Sequence, residues 1–271
     1  MKNLLPKIHY LVPPIALDIY RKVSGRYEFS GNYATWDEAQ ACCSGYDEQI
    51  ILESVRDSLL KVVHGEAAFE RDSVLYNEPR HWWPLLAGLL WVTSRNSNKL
   101  NLLDFGGSLG TVYFQNCKFI NHLDDLKWSV VEQRNFADCG RQYFQNNQLK
   151  FYYDIAECTK NRNPDVILFS GVLQYLEKPY EILEEVIGQR FKQIIIDRTP
   201  FLEKGVDCIT IQKVHPAQYP ASYPAWFFNL ARFVDFITPH YELIADFDSF
   251  DRFRTRDVVA TAKGFIFEKR Q

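Results

Sequence analysis

The sequence predicts an α/β chain built on a doubly wound, mostly parallel sheet, with a helical region ahead of it. Three observations lead there. From Leu100 onward, five short runs (NLLDF, KWSVVEQ, KFYYDI, DVILFS and QIIIDR) are separated by polar or helix-like stretches, the alternation expected of a parallel sheet with crossover helices. The runs are apolar throughout rather than at every second position, which suits strands covered on both faces. A chain of 271 residues, 46% hydrophobic and 15% aromatic, can also supply the core that such a sheet needs.

The region before the sheet, residues 1–98, reads as helical. Thr35 and Glu38 in TWDEA form a capping box, so a helix starts there and Gly45 stops it. Ile50, Ile51, Val55, Leu59, Leu60 and Val63 recur at helical spacing. A third helix fits Trp83 to Val92, with Pro84 in its first turn. Ser94 to Lys99 is a short polar linker, and the sheet domain follows over 99–271. YELIADF and GFIFEKR would add two strands to the five, for seven in all. Residues 203–232, rich in Tyr and Pro, read as an irregular loop inserted after the fifth strand.

Composition excludes several classes. The formal net charge is −3 and there is no basic stripe, so nothing draws the chain to nucleic acid. The six cysteines are scattered without a C-x-x-C pair, which argues against a metal site or a disulfide framework and suits reduced thiols in a cytoplasm. Pro6, Pro13 and Pro14 interrupt the apolar start, leaving no membrane span; a surface strap is favoured over a weak peripheral membrane contact. Oligomeric state is not legible.

The stretch with chemistry in it is NLLDFGGSLG. Gly106, Gly107 and Gly110 follow the first strand of the series, where such folds turn sharply into a helix and lay a ligand across the turn. A dinucleotide would want G-x-G-x-x-G, whereas S-adenosylmethionine would want an acid two residues before the first glycine, which is Asp104. The segment resembles the D-x-G-x-G-x-G of class I methyltransferases, with Ser108 in place of the middle glycine and Gly107 as an extra one. Glu132 ends the second strand where an acid can grip both hydroxyls of a ribose. Asp154, followed by Ile155, ends the third, and Ser170 ends the fourth. Each is a candidate contact of the cofactor, and each alone also reads as a solvated strand end.

Across nearly its whole length the chain resembles a family of class I methyltransferases of bacteria, often associated with surface-polysaccharide biosynthesis. The resemblance rests on GNYATWDEA, GEAAFERDSVLY, LLDFGGSLG, FSGVLQYLEKPY and IQKVHPAQYPASYPAWFFN. It implies a Rossmann-like, seven-stranded methyltransferase sheet and S-adenosylmethionine as cofactor, with a small acceptor such as a sugar or sugar nucleotide. In that family Asp154 would hold the adenine amine, and the segment of Gln174 and Tyr175 would line the methyl-transfer site.

A hydroxyl acceptor needs a base within reach. His215 is the first candidate, although Pro216 can simply fix it in a turn. Asp197 is the second, with pairing to Arg198 as the bland account. Tyr219, Ser222, Tyr223 and Trp226 form an aromatic, hydroxyl-bearing patch that suits a sugar, or that plugs the sheet's open end. Glu70, Arg71 and Asp72 read as a solvated charge triplet, or else as a cover from which Arg71 meets the cofactor's carboxylate. Two other readings stay open: a methyltransferase-like domain that binds without turnover, and a nicotinamide-dependent oxidoreductase.

Overall fold

The computed structural model describes residues 28–44, 48–71, 73–189, 191–214, 221–249, 251, 253, 255 and 259–271. His215, Tyr219, Asp72 and the N-terminal strap lie outside these residues.

The five predicted strands are β4 (Lys99–Phe105), β5 (Asp125–Val131), β6 (Leu149–Tyr152), β7 (Val166–Ser170) and β8 (Gln193–Leu202). The last two are β11 (Tyr241–Asp248) and β12 (Thr261–Lys269). The first five pair in parallel in the order β6-β5-β4-β7-β8. β12 closes on β8 antiparallel, and β11 closes on β12. The strand order reverses beside β4, so a crevice opens at the carboxyl ends of β4 and β7.

The sheet is doubly wound because successive residues face opposite layers. Leu102 packs with α2 (Glu48–Val63), α3 (Trp83–Arg95) and α4 (Thr111–Ile120); α5 (Arg134–Tyr143) completes that layer. Leu103 packs with α6 (Ile155–Arg162), α7 (Pro179–Gly188) and α8 (Leu230–Ile237) on the other side. In α2 the buried stripe is Leu52, Val55 and Leu59, whereas Ile50 and Val63 of the sequence pattern are exposed.

Three expectations are corrected. Among the described residues the sheet holds the seven expected strands and three more, ten in all. The region before it is not all helix: besides α1 (Trp36–Ala41), capped by Thr35, it holds β1 (Phe29–Tyr33) and a hairpin of β2 (Phe69–Arg71) and β3 (Val74–Tyr76). The segment 203–232 is not an irregular loop, because it forms β9 (Cys208–Lys213) and β10 (Ser222–Asn229).

The physical reason for the extra strands is the length of β8. At ten residues it outruns the five of β7. With β12 on its other edge as far as Phe201, β8 leaves a bare edge where β7 ends, and β10 pairs there through Phe228 and Asn229. β9 and β1 then add antiparallel, which satisfies that edge. This three-strand annex therefore stands above the carboxyl ends of the parallel strands, beside the crevice.

Candidate functional site

The glycine turn joins β4 to α4, with Gly110 at the helix N-cap. Asp104, on β4, lies beneath it at 1% exposure. Trp128 Nε1 donates to Asp104 Oδ2 at 3.1 Å, while Oδ1 has no partner. A Cβ on Gly107 would stand 2.5 Å from this carboxylate, so the carboxylate itself forbids a side chain there. Gly106 has φ +68°, and a Cβ on it would run into Val172. Ser108, where the methyltransferase pattern has glycine, also takes the left-handed conformation, at φ 54°. The glycines thus answer first to the protein's own Asp104 and Val172, not to a bare ligand approach.

Burial pushes the Asp104 carboxyl up to about 7; the Trp128 hydrogen bond opposes this and the Glu132 charge adds to it. Its folded-state pKa therefore lies above the unfolded value of 3.8. The native state then holds the extra proton between about pH 4 and pH 7, and stability falls as pH rises through that window. Asp104→Asn, which cannot ionise, is expected to raise the unfolding temperature at pH 8, by up to roughly 4 kcal/mol of stability. The gain should vanish near pH 4, and thermal unfolding at the two pH values checks it.

A cavity of about 400 Å³ opens on Gly106, Gly107 and Ser108. Its walls come from the turn and the start of α4, the carboxyl end of β7 with the 3-10 turn Leu173–Tyr175, the β2–β3 hairpin and the annex, with Val55 of α2, Arg198 of β8, Asp251 and Phe253. Six charged residues among the described ones line it: Glu28, Glu70, Asp104 and Asp251 against Arg71 and Arg198.

The charge triplet is only partly the solvated one expected. Glu70 is 2% exposed; it accepts from the Thr111 hydroxyl and from the Ser73 amide, tying the hairpin to the start of α4. Arg71 lies over the Trp82 ring and pairs with Asp251, which also accepts from Arg198 Nε at 2.7 Å. Burial works against the Asp251 charge, but Arg198 and Arg71 hold its carboxyl below the ordinary range.

The other predicted residues divide. Ser170, Gln174, Tyr175 and Tyr223 line the cavity. Tyr175 donates to Gln212 Oε1 at 2.7 Å, and Gln212 Nε2 donates to Glu28 Oε1 at 2.7 Å. Asp197 is 1% exposed, its carboxyl raised by burial against the pull of Arg198, and it borders a small recess beside the cavity.

Glu132 meets the turn from outside the cavity lining: Oε1 accepts from the Ser108 amide at 3.1 Å and Oε2 from Gln133 at 2.8 Å. Asp154 does not end a strand. It caps α6, accepting from Glu157 at 2.7 Å, and Ile155 is core.

Ser222 and Trp226 fall on the face of β10 opposite to Tyr223, because strand side chains alternate. Ser222 binds Ser44, and Trp226 stacks on Trp36. The sequence patch therefore splits, and only Tyr223 of its described members reaches the cavity.

Sequence reasoning missed Glu28, Gln212 and Asp251. Gln212 left a faint signal as a polar residue in the otherwise β-forming ITIQK; Asp251 left none, since its partners are distant in sequence.

No protein-family model matches the chain, and no curated protein matches it. Among solved structures, it is similar to the N-terminal domain of EvdMO1, determined in the presence of SAH and D-fucose. That likeness has 12% identity, 74% coverage of this chain and 90% of that one, and a TM-score of 0.48. It is similar also to magnesium protoporphyrin IX methyltransferase (ChlM) from Synechocystis PCC 6803 with bound SAM, at 12% identity, 69% and 77% coverage and a TM-score of 0.45. A third likeness is to 1,6-didemethyltoxoflavin-N1-methyltransferase of Burkholderia thailandensis, with bound 1,6-didemethyltoxoflavin and S-adenosylhomocysteine. It has 12% identity, 83% and 91% coverage and a TM-score of 0.43.

Proposed function

We propose that the chain is an S-adenosylmethionine-dependent methyltransferase acting on a small acceptor, with a sugar or sugar nucleotide of surface-glycan biosynthesis as one candidate. The observation that carries this reading is Asp104: a buried carboxylate with one unpartnered oxygen, under a glycine turn that borders a 400 Å³ cavity at the strand-order reversal. An acid there suits a cationic amino acid end and opposes a pyrophosphate, which disfavours the nicotinamide reading.

The residues present fit the cofactor in the following way. Asp104 Oδ1 takes its amino group, and the turn from Gly106 to Gly110 lies along it. Arg71 faces its carboxylate from the hairpin. Glu132 uses two of roughly four lone-pair positions on backbone amides, so its remaining lone pairs can accept from a ribose. Asp154 Oδ2 and the backbone at Ile155 are the candidates at the adenine end. When bound, S-adenosylmethionine supplies a methyl group from its sulfonium.

This chain's own residues do the rest. The β2–β3 hairpin shuts water from the cavity. Tyr175 and Tyr223 orient the acceptor, and Asp197 takes up the proton that the acceptor sheds. His215 and Tyr219, outside the described residues, are further candidates for the base and for an acceptor contact. Isothermal calorimetry tests the reading: S-adenosylmethionine and its demethylated product should bind, and NAD should not. No heat and no thermal shift at saturating concentration would sink it.

A further inference from the structure

The inner wall of the cavity presents a buried amide oxygen and a hydroxyl that lack partners. Gln174 is 2% exposed, and its Nε2 donates to the Arg198 carbonyl at 3.2 Å. A carbonyl only accepts, so this bond fixes which end of the amide is which. Gln174 Oε1 is left as the outward acceptor, buried and without a partner. The Ser170 hydroxyl, on the same wall, also lacks a partner.

Asp197 stands beside Ser170 in strand register. Neither of its carboxylate oxygens has a partner at full hydrogen-bonding geometry, although the Ser249 hydroxyl and the Arg198 amide are near enough to favour its charge. It borders a recess of about 30 Å³ that shares Ser170 and Arg198 with the main cavity. A buried acceptor left unbonded costs about 1–3 kcal/mol, and a charged one more. Gln174 and Ser170 on the cavity wall, with Asp197 in the adjoining recess, are expensive unless something brings hydrogen-bond partners to them.

We propose that Gln174 Oε1 and the Asp197 carboxylate form the acceptor subsite, and that the acceptor binds through hydroxyl or amine donors, as an uncharged polyol or amino alcohol. This rests on the methyl-transfer reading above. A carboxylate or phosphate does not suit Gln174 Oε1 or the Asp197 carboxylate, because it too can only accept. With the cofactor bound, Arg71 is taken up by its carboxylate, and Arg198 meets Asp251, so the acceptor wall offers an anion no unengaged guanidinium.

The test is saturation-transfer NMR on protein loaded with S-adenosylhomocysteine, using an equimolar mixture of 1,3-propanediol, 3-amino-1-propanol and malonate. The diol and the amino alcohol should receive saturation, and malonate should not. Gln174→Met and Asp197→Asn should each lower the donor signals by at least about threefold, as expected for loss of one buried hydrogen bond. Should one variant fail to fold, the other and the order of the probes still decide.

The proposal is overturned if malonate gives the strongest signal, or if both folded variants keep the wild-type signals. It is equally overturned if no probe is saturated, which means that the wall holds ordered water only. Running the mixture on unloaded protein separates the two ideas. If the cofactor product does not bind, the methyl-transfer reading falls, while the diol and amino alcohol signals, and their loss in Gln174→Met, are still measured on the bare cavity.

Discussion

Gly106→Ala is expected to destabilise the protein by about 3 kcal/mol and to lower its unfolding temperature by roughly 6–10 °C. Two costs add. At φ +68° an alanine is strained by about 1–2 kcal/mol. Its Cβ would also overlap Val172, and overpacking of this kind costs about 1–3 kcal/mol. Backbone strain and collision can be told apart, because Val172→Ala in the same chain removes the nearest clashing methyl, leaving its Cβ at 2.9 Å and the strain unchanged. The double variant should therefore recover part of the loss, and a double-mutant cycle reads the coupling. Because the turn borders the cavity, Gly106→Ala should also weaken cofactor binding. An unfolding temperature equal to that of the wild type would show that the turn is not held as described.

Glu132→Ala is expected to have the largest effect on binding. Its carboxylate holds the Ser108 amide at 3.1 Å, and Ser108 sits in a left-handed conformation that costs a non-glycine residue energy. Removing the acceptor should cost about 1–3 kcal/mol of stability, since the Ser108 amide is left without its partner. It should also weaken binding of S-adenosylhomocysteine by about 100-fold or more, because hydrogen bonds to a charged group contribute about 1.5–3 kcal/mol each. Glu132→Gln tells the two roles apart. The amide oxygen can still accept from Ser108, although the NH2 cannot accept from Gln133, so stability should fall less than in Glu132→Ala, while affinity falls by about tenfold. Calorimetry and thermal unfolding on the two variants give the answer. Undiminished binding in Glu132→Ala would sink the cofactor geometry.

The parts of the site that were legible in the sequence are those made by neighbours along the chain. Asp104, Gly106 and Gly107 fall within a few residues, and the turn they make depends on local backbone conformation and one close approach. Ser170 and Gln174 were legible because they follow a recognisable strand. Ser222 and Trp226 misled because an aromatic patch read as a loop has no faces, whereas the same residues on β10 alternate between two. Asp154 misled by one structural step: a residue just past a strand is also the residue just before a helix, and its side chain was needed as the cap.

The sequence by itself determined the series of buried strands, the glycine turn after the first of them, and the acid beneath that turn. Apolar runs and glycines act on their immediate neighbours, so their consequences are written locally. Only the tertiary structure decided that β10 would take the edge β7 leaves bare, that β9 and β1 would follow it over the crevice, and that Asp251 would meet Arg71 across 180 positions of chain. Such pairings depend on which ends are brought together when the chain closes and on which edges remain unsatisfied. That information belongs to the whole fold, and no short window of residues carries it.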